Sequence, residues 1–143
     1  MWNESYKRTS IEEISGLLDN SRLVLARHGG KIVGSVVVEE DKKAKVGGFG
    51  MLVVDPKMRG LRIGSALIEA CENWAKLKGY RTMKLGLLTP KTWKQPEKEK
   101  LHSWYTRIGY VKQKKFTTLH KDWPHLAVDL ACECVLTDYL KPI

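Results

Sequence analysis

One stretch of the sequence limits the fold more than any other. It consists of an apolar segment, a basic loop with glycines and an amphipathic segment, in direct succession. The apolar segment FGMLVVD, residues 49–55, ends in a continuous hydrophobic run, which is typical of a strand buried inside a sheet. After the loop PKMRGLRIGS, apolar residues recur at helical spacing over residues 63–78, and Gly79 supplies a stop signal. Because such a helix must cover the sheet that holds the strand, this order predicts an α/β protein.

The segments around this unit extend the pattern. A helix with a capping-box pattern is predicted over residues 10–20, and two strands joined by the turn signal Gly29-Gly30 are predicted over residues 22–40. The other predicted segments are a loop over residues 43–48, a strand over 80–88 and a helix over 96–108. They are followed by a strand over residues 110–119, a short helical stretch over 124–131 and a last strand over 133–140. We therefore predict a mixed α/β (α+β) fold in a single domain, residues 1–143.

Composition restricts the class of protein. The 143 residues are 43% hydrophobic and 29% charged, as in globular domains, and no apolar run approaches the ~20 residues of a membrane-spanning helix. The N-terminus has no hydrophobic segment behind its charges, so we expect a cytoplasmic protein without a secretion signal. The three cysteines are predicted to be free thiols, and they form no metal-binding pattern.

Net charge indicates the kind of partner. With 25 lysines and arginines against 16 acidic residues, the formal charge is +9, which attracts an anionic ligand such as a nucleotide, a phosphate or an acidic metabolite. The basic loops lack the interleaved aromatic residues of a nucleic-acid stacking surface, so nucleic acid is the least supported partner. We expect a monomer or a homodimer with no membrane partner.

The basic loop has two interpretations. A helix N-terminus carries unpaired backbone N–H groups and a partial positive charge. Gly60 and Gly64 let the backbone approach a bulky anion, and Arg59 and Arg62 add full charges. The loop is predicted either to bind a diphosphate or to be an ordinary strand–helix turn whose glycines serve geometry alone.

At this loop the chain resembles the GNAT superfamily of acyl-CoA-dependent N-acetyltransferases. The family signature after its fourth strand is Gln/Arg-x-x-Gly-x-Gly/Ala; RGLRIG, residues 59–64, fits it at both ends and departs from it at Arg62, where the family usually has glycine. A second segment, LHSWYTRIGY, is similar to the family's late helix, which ends in Tyr-x-x-x-Gly-Phe/Tyr. The resemblance covers residues 22–111. The family normally opens with a strand and two helices, so we expect an abbreviated N-terminus or a missing upstream segment.

The resemblance implies a sheet whose fourth and fifth strands splay apart and hold acetyl-CoA as the cosubstrate. The pantetheine arm would bond to backbone groups of Leu52, Val53 and Val54. The pyrophosphate would lie near Arg59, on the backbone amides of six consecutive residues: Gly60, Leu61, Arg62, Ile63, Gly64 and Ser65. Because Arg62 replaces a glycine, a positive φ at this position would strain the backbone.

Acetyl transfer needs a neutral amine, a polarised thioester and a proton for the leaving thiolate. Tyr105 matches the family's tyrosine that protonates the coenzyme sulfur, and it also fits a packing aromatic on the apolar face of its helix. The family's strand-four glutamate has no counterpart, because its position is occupied by Gly48. Glu39 and Glu40 either act as the base through water or mark a solvent-exposed strand end, and His102 is predicted to be a surface residue. We expect direct transfer in a ternary complex.

The sequence says less about the identity of the acceptor substrate than about the coenzyme. Trp93 and Trp123 lie in predicted loops and fit the walls of a small-ligand site. Because the basic loops would repel lysine-rich substrates, the composition favours a small-molecule amine, for instance one with an acidic group. Two alternatives stay open: a protein lysine or N-terminal acetyltransferase, and a non-catalytic module that binds acyl-CoA or nucleic acid.

Overall fold

The fold is described from a computed structural model for residues 15, 20, 22–118, 130 and 132–143. Within the region predicted as the first helix, Ser15 is helical and Asn20 lies in a turn. The rest of that helix, most of the helical stretch at residues 124–131 and Trp123 lie outside the described residues.

An antiparallel hairpin comes first among the described strands. β1 (Leu23–His28) pairs with β2 (Lys31–Asp41), and the connecting Gly29 and Gly30 have φ angles of +56° and +78°. Two successive positive φ angles suit glycine far better than other residues, and this turn twists in the same sense as the strands it joins. The predicted hairpin is confirmed.

The next strand, β3 (Val46–Val54), pairs antiparallel with β2 and begins earlier than the sequence suggested. The prediction of a loop through residue 48 was wrong. A Cβ on Gly47 would lie 2.6 Å from Ala75 Cβ, and one on Gly48 would lie 2.7 Å from the backbone oxygen of Lys84. These glycines, which indicated a loop, are therefore required by close packing, of Gly47 against Ala75 of the following helix and of Gly48 against the backbone of Lys84.

The helix that follows is α1 (Ile63–Leu77), preceded by a 3₁₀ turn (Pro56–Met58). Its buried face includes Leu67, Ile68 and Cys71, and it packs against β2 and β3. Gly79, with a φ of +85°, follows its end. The predicted amphipathic helix is confirmed to within one residue at its C-terminus.

β3 is also paired in parallel with β4 (Thr82–Pro90), but only over a short distance. Gly47 pairs with Met83 and Gly48 with Lys84, both near the start of their strands. β3 and β4 each continue well beyond these two pairs, which are the described extent of the parallel ladder.

The remaining elements are α2 (Pro96–Arg107), β5 (Val111–Thr118) and β6 (Cys134–Pro142). Pro96 occupies the first turn of α2, where its missing N–H costs no hydrogen bond. β5 and β6 are antiparallel, and the strand order of the six-stranded mixed sheet is β1-β2-β3-β4-β6-β5. The predicted mixed α/β fold is confirmed.

The described chain divides into two compact units. The first unit, residues 15–84 with 142–143, contains β1, β2, β3 and α1 around a core that includes Val36, Val38 and Ile68. The second unit, residues 85–141, contains α2, β5 and most of β4 and β6. Its buried side chains include Leu85, Leu87, Tyr110, Cys134 and Tyr139.

Candidate functional site

A β-bulge interrupts β3 just before the basic loop. Ser35 of β2 pairs with Val53, whereas Val37 pairs with Gly50, so Val36 alone faces two residues of β3, Met51 and Leu52. Met51 has a φ of +52°, which places it in the left-handed region. A bulge of this kind removes backbone groups from the ladder and turns the strand locally.

Backbone direction after the bulge can be followed from one hydrogen bond. The N–H of Asp55 donates to the Val33 oxygen of β2 over 2.8 Å. Because backbone groups of successive strand residues point to alternate edges, those of Val53 also face β2, and those of Leu52 and Val54 face the other edge of β3. Of the three residues predicted to bind the pantetheine arm, Leu52 and Val54 therefore have the suitable orientation.

The turn after β3 is closed by its first residue. The Asp55 carboxylate accepts a hydrogen bond from the Lys57 N–H over 2.9 Å, and the Asp55 carbonyl accepts one from the Met58 N–H, also over 2.9 Å. Gly60 follows with a φ of +87°, and a Cβ there would meet no described atom within 4 Å. The glycine thus serves the backbone conformation, and it also leaves space above the loop.

The N-terminus of α1 has the properties of an anion site. Among the described residues, no hydrogen-bond partner engages the backbone N–H groups of Ile63, Gly64 or Ser65, and the first bonded N–H of the helix is that of Ala66, which donates to Arg62 O over 3.0 Å. No side chain caps the helix, and its first turn has no acidic residue. The unpaired N–H groups and the positive end of the helix dipole therefore face the same space as the basic loop.

Arg62 is the N-cap of α1 and has a φ of +60° and a ψ of 25°. This is the left-handed conformation that a glycine adopts freely and that costs a residue with a side chain roughly 1–2 kcal/mol. The strain expected from an arginine at the family's glycine position is therefore present. The side chains of Arg59, Leu61 and Arg62 are all exposed, which leaves their charges and backbone open to a ligand.

Glu40 has structural partners on both carboxylate oxygens. Oε1 pairs with an Arg22 guanidinium nitrogen over 2.9 Å, and Oε2 accepts a hydrogen bond from the Tyr80 hydroxyl over 2.6 Å. The Tyr80 hydrogen bond and the Arg22 charge hold the pKa of Glu40 below its ordinary value, although desolvation opposes them. A carboxylate stabilised in this way is a weak base.

Glu39 has a different environment from its neighbour. Consecutive strand residues point to opposite faces of the sheet, so Glu39 lies on the face that Glu40 does not. A Cβ on Gly50 would lie 2.6 Å from Glu39 Oε1, which places this carboxylate directly over Gly50 and beside the bulge at Met51. Of the two glutamates named from the sequence, Glu39 is the one whose carboxylate lies next to irregular backbone of β3.

Two of the three cysteines, Cys71 and Cys134, are unsuited to nucleophilic catalysis. All three are free thiols, as predicted. Burial raises the pKa of Cys71 to about 12, and burial together with the hydrogen bond shared with Cys132 raises the pKa of Cys134 to about 11. Since the thiolate is the reactive form, both groups are inert near neutral pH.

In the second unit, Tyr105 lies within an aromatic cluster. Its ring stacks on Trp104 with centroids 5.3 Å apart and meets Tyr110 and Tyr139 edge to face at 6.4 Å and 6.3 Å. It is 7% exposed. Tyr105 therefore packs within the protein, as one of its two interpretations required, and the role of its hydroxyl as an acid stays a prediction.

The second unit also contains a cavity of about 830 Å³. Trp93, His102 and Tyr139 are among the residues that line it, and the role of Trp93 as a wall of the substrate site stays a prediction. His102 Nδ1 lies 2.7 Å from the Tyr139 hydroxyl, and the residue is half-buried, so its prediction as a surface histidine was wrong. Burial and the nearby charge of Glu99 raise the pKa of Tyr139, which keeps its hydroxyl protonated.

The comparisons with known proteins identify the family. The family model described as "Acetyltransferase (GNAT) domain" matches residues 19–112, which include β1 to β4, the basic loop and both helices. The chain belongs to this family. Among the described residues, no group of histidine, cysteine, aspartate and glutamate side chains could hold a metal ion.

Solved structures show the same fold at low identity. An aminoglycoside 6′-N-acetyltransferase complexed with coenzyme A has a TM-score of 0.72 and 18% identity over 97% of this chain and 82% of its own. A ribosomal-protein-alanine N-acetyltransferase from Brucella melitensis has a TM-score of 0.69 and 14% identity over 100% of this chain and 83% of its own. A protein from Bacillus anthracis described as a streptothricin acetyltransferase, in complex with acetyl coenzyme A, has a TM-score of 0.66 and 19% identity over 85% of this chain.

The chain spans 61% of the length of the Bacillus anthracis protein. A search of curated proteins gave no significant match. No helix in the described part of the chain is long and apolar enough to cross a membrane.

Proposed function

We propose that the chain is an acetyl-CoA-dependent N-acetyltransferase that acts on the primary amine of a small molecule. The observation that carries the proposal is the β3–loop–α1 unit: a bulged strand, a glycine-containing basic loop and a helix start with unengaged N–H groups, all within the family match. The proposal treats residues 1–143 as one catalytic domain that binds no metal.

The coenzyme would be held largely by backbone groups. Pyrophosphate oxygens would accept hydrogen bonds from the N–H groups at the start of α1, with Arg59 and Arg62 as countercharges. The outward-facing backbone groups of Leu52 and Val54 would bind the pantetheine arm in the manner of an added strand. Two of the similar structures, complexes with coenzyme A and acetyl coenzyme A, support this choice of cosubstrate.

The proposed chemistry is direct transfer in a ternary complex. Backbone N–H groups released from the ladder by the bulge at Met51 would polarise the thioester carbonyl. Tyr105 would donate a proton to the leaving thiolate, and Glu39 would accept the proton of the incoming ammonium through a water molecule. The high thiol pKa values of Cys71 and Cys134 support transfer without an acyl-cysteine.

A small-molecule acceptor is supported by the size of the cavity in the second unit. Its cavity of about 830 Å³ falls within the usual range for drug-sized ligands, roughly 300–1,000 Å³. A protein acetyltransferase would instead need an open groove for an extended peptide.

Calorimetry with acetyl-CoA tests the proposal. We expect saturable binding, and at a hundredfold excess over Kd the ligand should stabilise the fold by ~2.7 kcal/mol and raise the melting temperature. No heat of binding and no thermal shift at millimolar acetyl-CoA would refute the proposed function.

Glu39→Gln is expected to lower kcat by roughly 10²-fold, the usual contribution of a positioned base, with little change in acetyl-CoA affinity. Glu40→Gln is the matched control on the adjacent residue. It weakens the contacts to Arg22 and Tyr80, so it should lower the melting temperature and leave kcat close to that of the parent. Steady-state kinetics with an accepted amine distinguishes the two. Parent-like turnover in Glu39→Gln would assign the base to another group.

A further inference from the structure

The charged side chains that line the cavity of the second unit are mostly positive. Five lysines and a single glutamate contribute to its lining: Lys91, Lys94, Lys98, Lys112, Lys114 and Glu99. Leu87, Pro90 and Trp93 provide apolar walls. Lys91 is paired with Glu133 at 3.8 Å, and the other four lysines have only Glu99 as an acidic neighbour in the lining. A cleft lined mainly by one sign of charge concentrates a positive potential, which attracts small anions and repels cations.

Two of these lysines approach the cavity from different elements, Lys98 from α2 and Lys112 from β5. Lys98 lies in the first turn of α2 and is half-buried. Lys112 lies opposite Tyr139 in the β5–β6 ladder, and directly opposed residues present their side chains on the same face of a sheet. Since Tyr139 and Lys98 also line the cavity, a bound anion could be contacted from both the helix and the sheet.

The cavity also offers hydrogen-bonding groups. The Tyr139 hydroxyl and His102 form a polar pair in its wall, at 2.7 Å. Gln95 Oε1, at the start of α2, is buried and has no hydrogen-bond partner among the described residues. A buried acceptor without a donor is costly, so an N–H or O–H group of a ligand would stabilise it.

We propose that this cavity binds the acceptor and that the acceptor is a small amine with a carboxylate or phosphate group, held by Lys98 and Lys112. The inference rests on the proposed function and adds the class of substrate to it. The lysines select the acid group, and Gln95 accepts a hydrogen bond from a donor elsewhere on the same molecule. Polyamines and lysine-rich peptides are excluded by the same charges.

Matched pairs of amines test this inference. O-Phosphoethanolamine is compared with ethanolamine, and glucosamine 6-phosphate with glucosamine, by kcat/KM with acetyl-CoA. The phosphorylated member should be preferred by roughly tenfold or more, which is the effect of one charge-assisted hydrogen bond. The preference should shrink at high salt. Equal or better use of the neutral members would overturn the inference.

Lys98→Ala and Lys112→Ala should each reduce kcat/KM for the phosphorylated amine by about tenfold and change the neutral amine little. Lys100→Ala is the matched control, since Lys100 lies on the same helix, pairs with Glu97 and does not line the cavity. A loss that is equal for both members of a pair would mean that Lys98 and Lys112 do not recognise the acid group.

Two further arms separate this inference from its alternatives. If Lys98→Ala weakens the binding of CoA more than the binding of dephospho-CoA, the cavity holds the coenzyme's own 3′-phosphate, and the acceptor role is overturned. If the substitution changes both affinities by the same factor, the acceptor role is supported. If acetyl-CoA does not bind at all, the proposed function fails, and the cavity is tested alone by titrating inorganic phosphate. Phosphate binding that Lys98→Ala weakens and Lys100→Ala preserves supports the anion site, and no phosphate binding refutes it.

Discussion

Tyr105→Phe is expected to lower kcat by ~10²-fold or more, because it removes the proposed donor of the proton that the leaving thiolate requires. Acetyl-CoA affinity should remain nearly constant. The substitution keeps the ring, and therefore the stacking on Trp104 and the edge contacts to Tyr110 and Tyr139. Steady-state kinetics with an accepted amine, together with calorimetry for acetyl-CoA, measures both quantities.

Tyr110→Phe is the matched control for this change. Tyr110 is fully buried in the same cluster and also loses a single hydroxyl, but nothing assigns it a role in proton transfer. Its kcat should stay close to that of the parent, even if the melting temperature falls. Full turnover in Tyr105→Phe would leave the residue with its packing role, and an equal loss in both variants would attribute the effect to the cluster as a whole.

The local elements of the fold could be predicted from the sequence because their signals are local. The hairpin turn at Gly29-Gly30 depends on two residues that tolerate positive φ, and α1 depends on apolar residues at helical spacing. The basic loop was recognised for the same reason, since its glycines and arginines are contiguous in the chain. Its unengaged N–H groups follow from the position of the helix start alone.

Other features depend on contacts between residues far apart in sequence. Gly47 and Gly48 suggested a loop, but they lie in β3. They are glycines because Ala75 and Lys84 leave no room for side chains there. Nothing in the sequence around Met51 indicates a bulge, since methionine rarely adopts a positive φ.

The polar pair in the cavity wall was missed for a similar reason. His102 and Tyr139 are separated by 37 residues, and they meet only when β6 lies beside α2. Neither residue belongs to a motif, so the sequence suggested a surface histidine. The distinction between Glu39 and Glu40 also required the structure, because the partners Tyr80 and Arg22 are distant in the chain.

Gly64→Val is expected to raise the Kd for acetyl-CoA by about tenfold or more. A β-branched side chain at this position would stand where the pyrophosphate approaches the first N–H groups of α1, and each charge-assisted hydrogen bond lost there costs ~1.5–3 kcal/mol. Gly64 is also one of the residues whose N–H has no partner among the described residues. Calorimetry on the folded variant measures the change.

Ala66→Val provides the control for this substitution. It places the same β-branched residue two positions further along α1, at an exposed site whose N–H is already bonded to Arg62. Its Kd for acetyl-CoA should match that of the parent. Parent-like affinity in Gly64→Val would show that the coenzyme is not held at the start of α1.

The most direct measurement of acetyl transfer is an assay of the parent protein with acetyl-CoA and a panel of primary amines, amino acids, amino sugars, polyamines and peptides. Free thiol is followed in real time, and the products are identified by mass spectrometry. We expect at least one small primary amine to be acetylated on nitrogen, with thiol and product formed in equal amounts. Binding of acetyl-CoA without thiol release for any amine would contradict the account and identify a non-catalytic acyl-CoA-binding module. Transfer confined to peptides would replace the small-molecule acceptor with a protein.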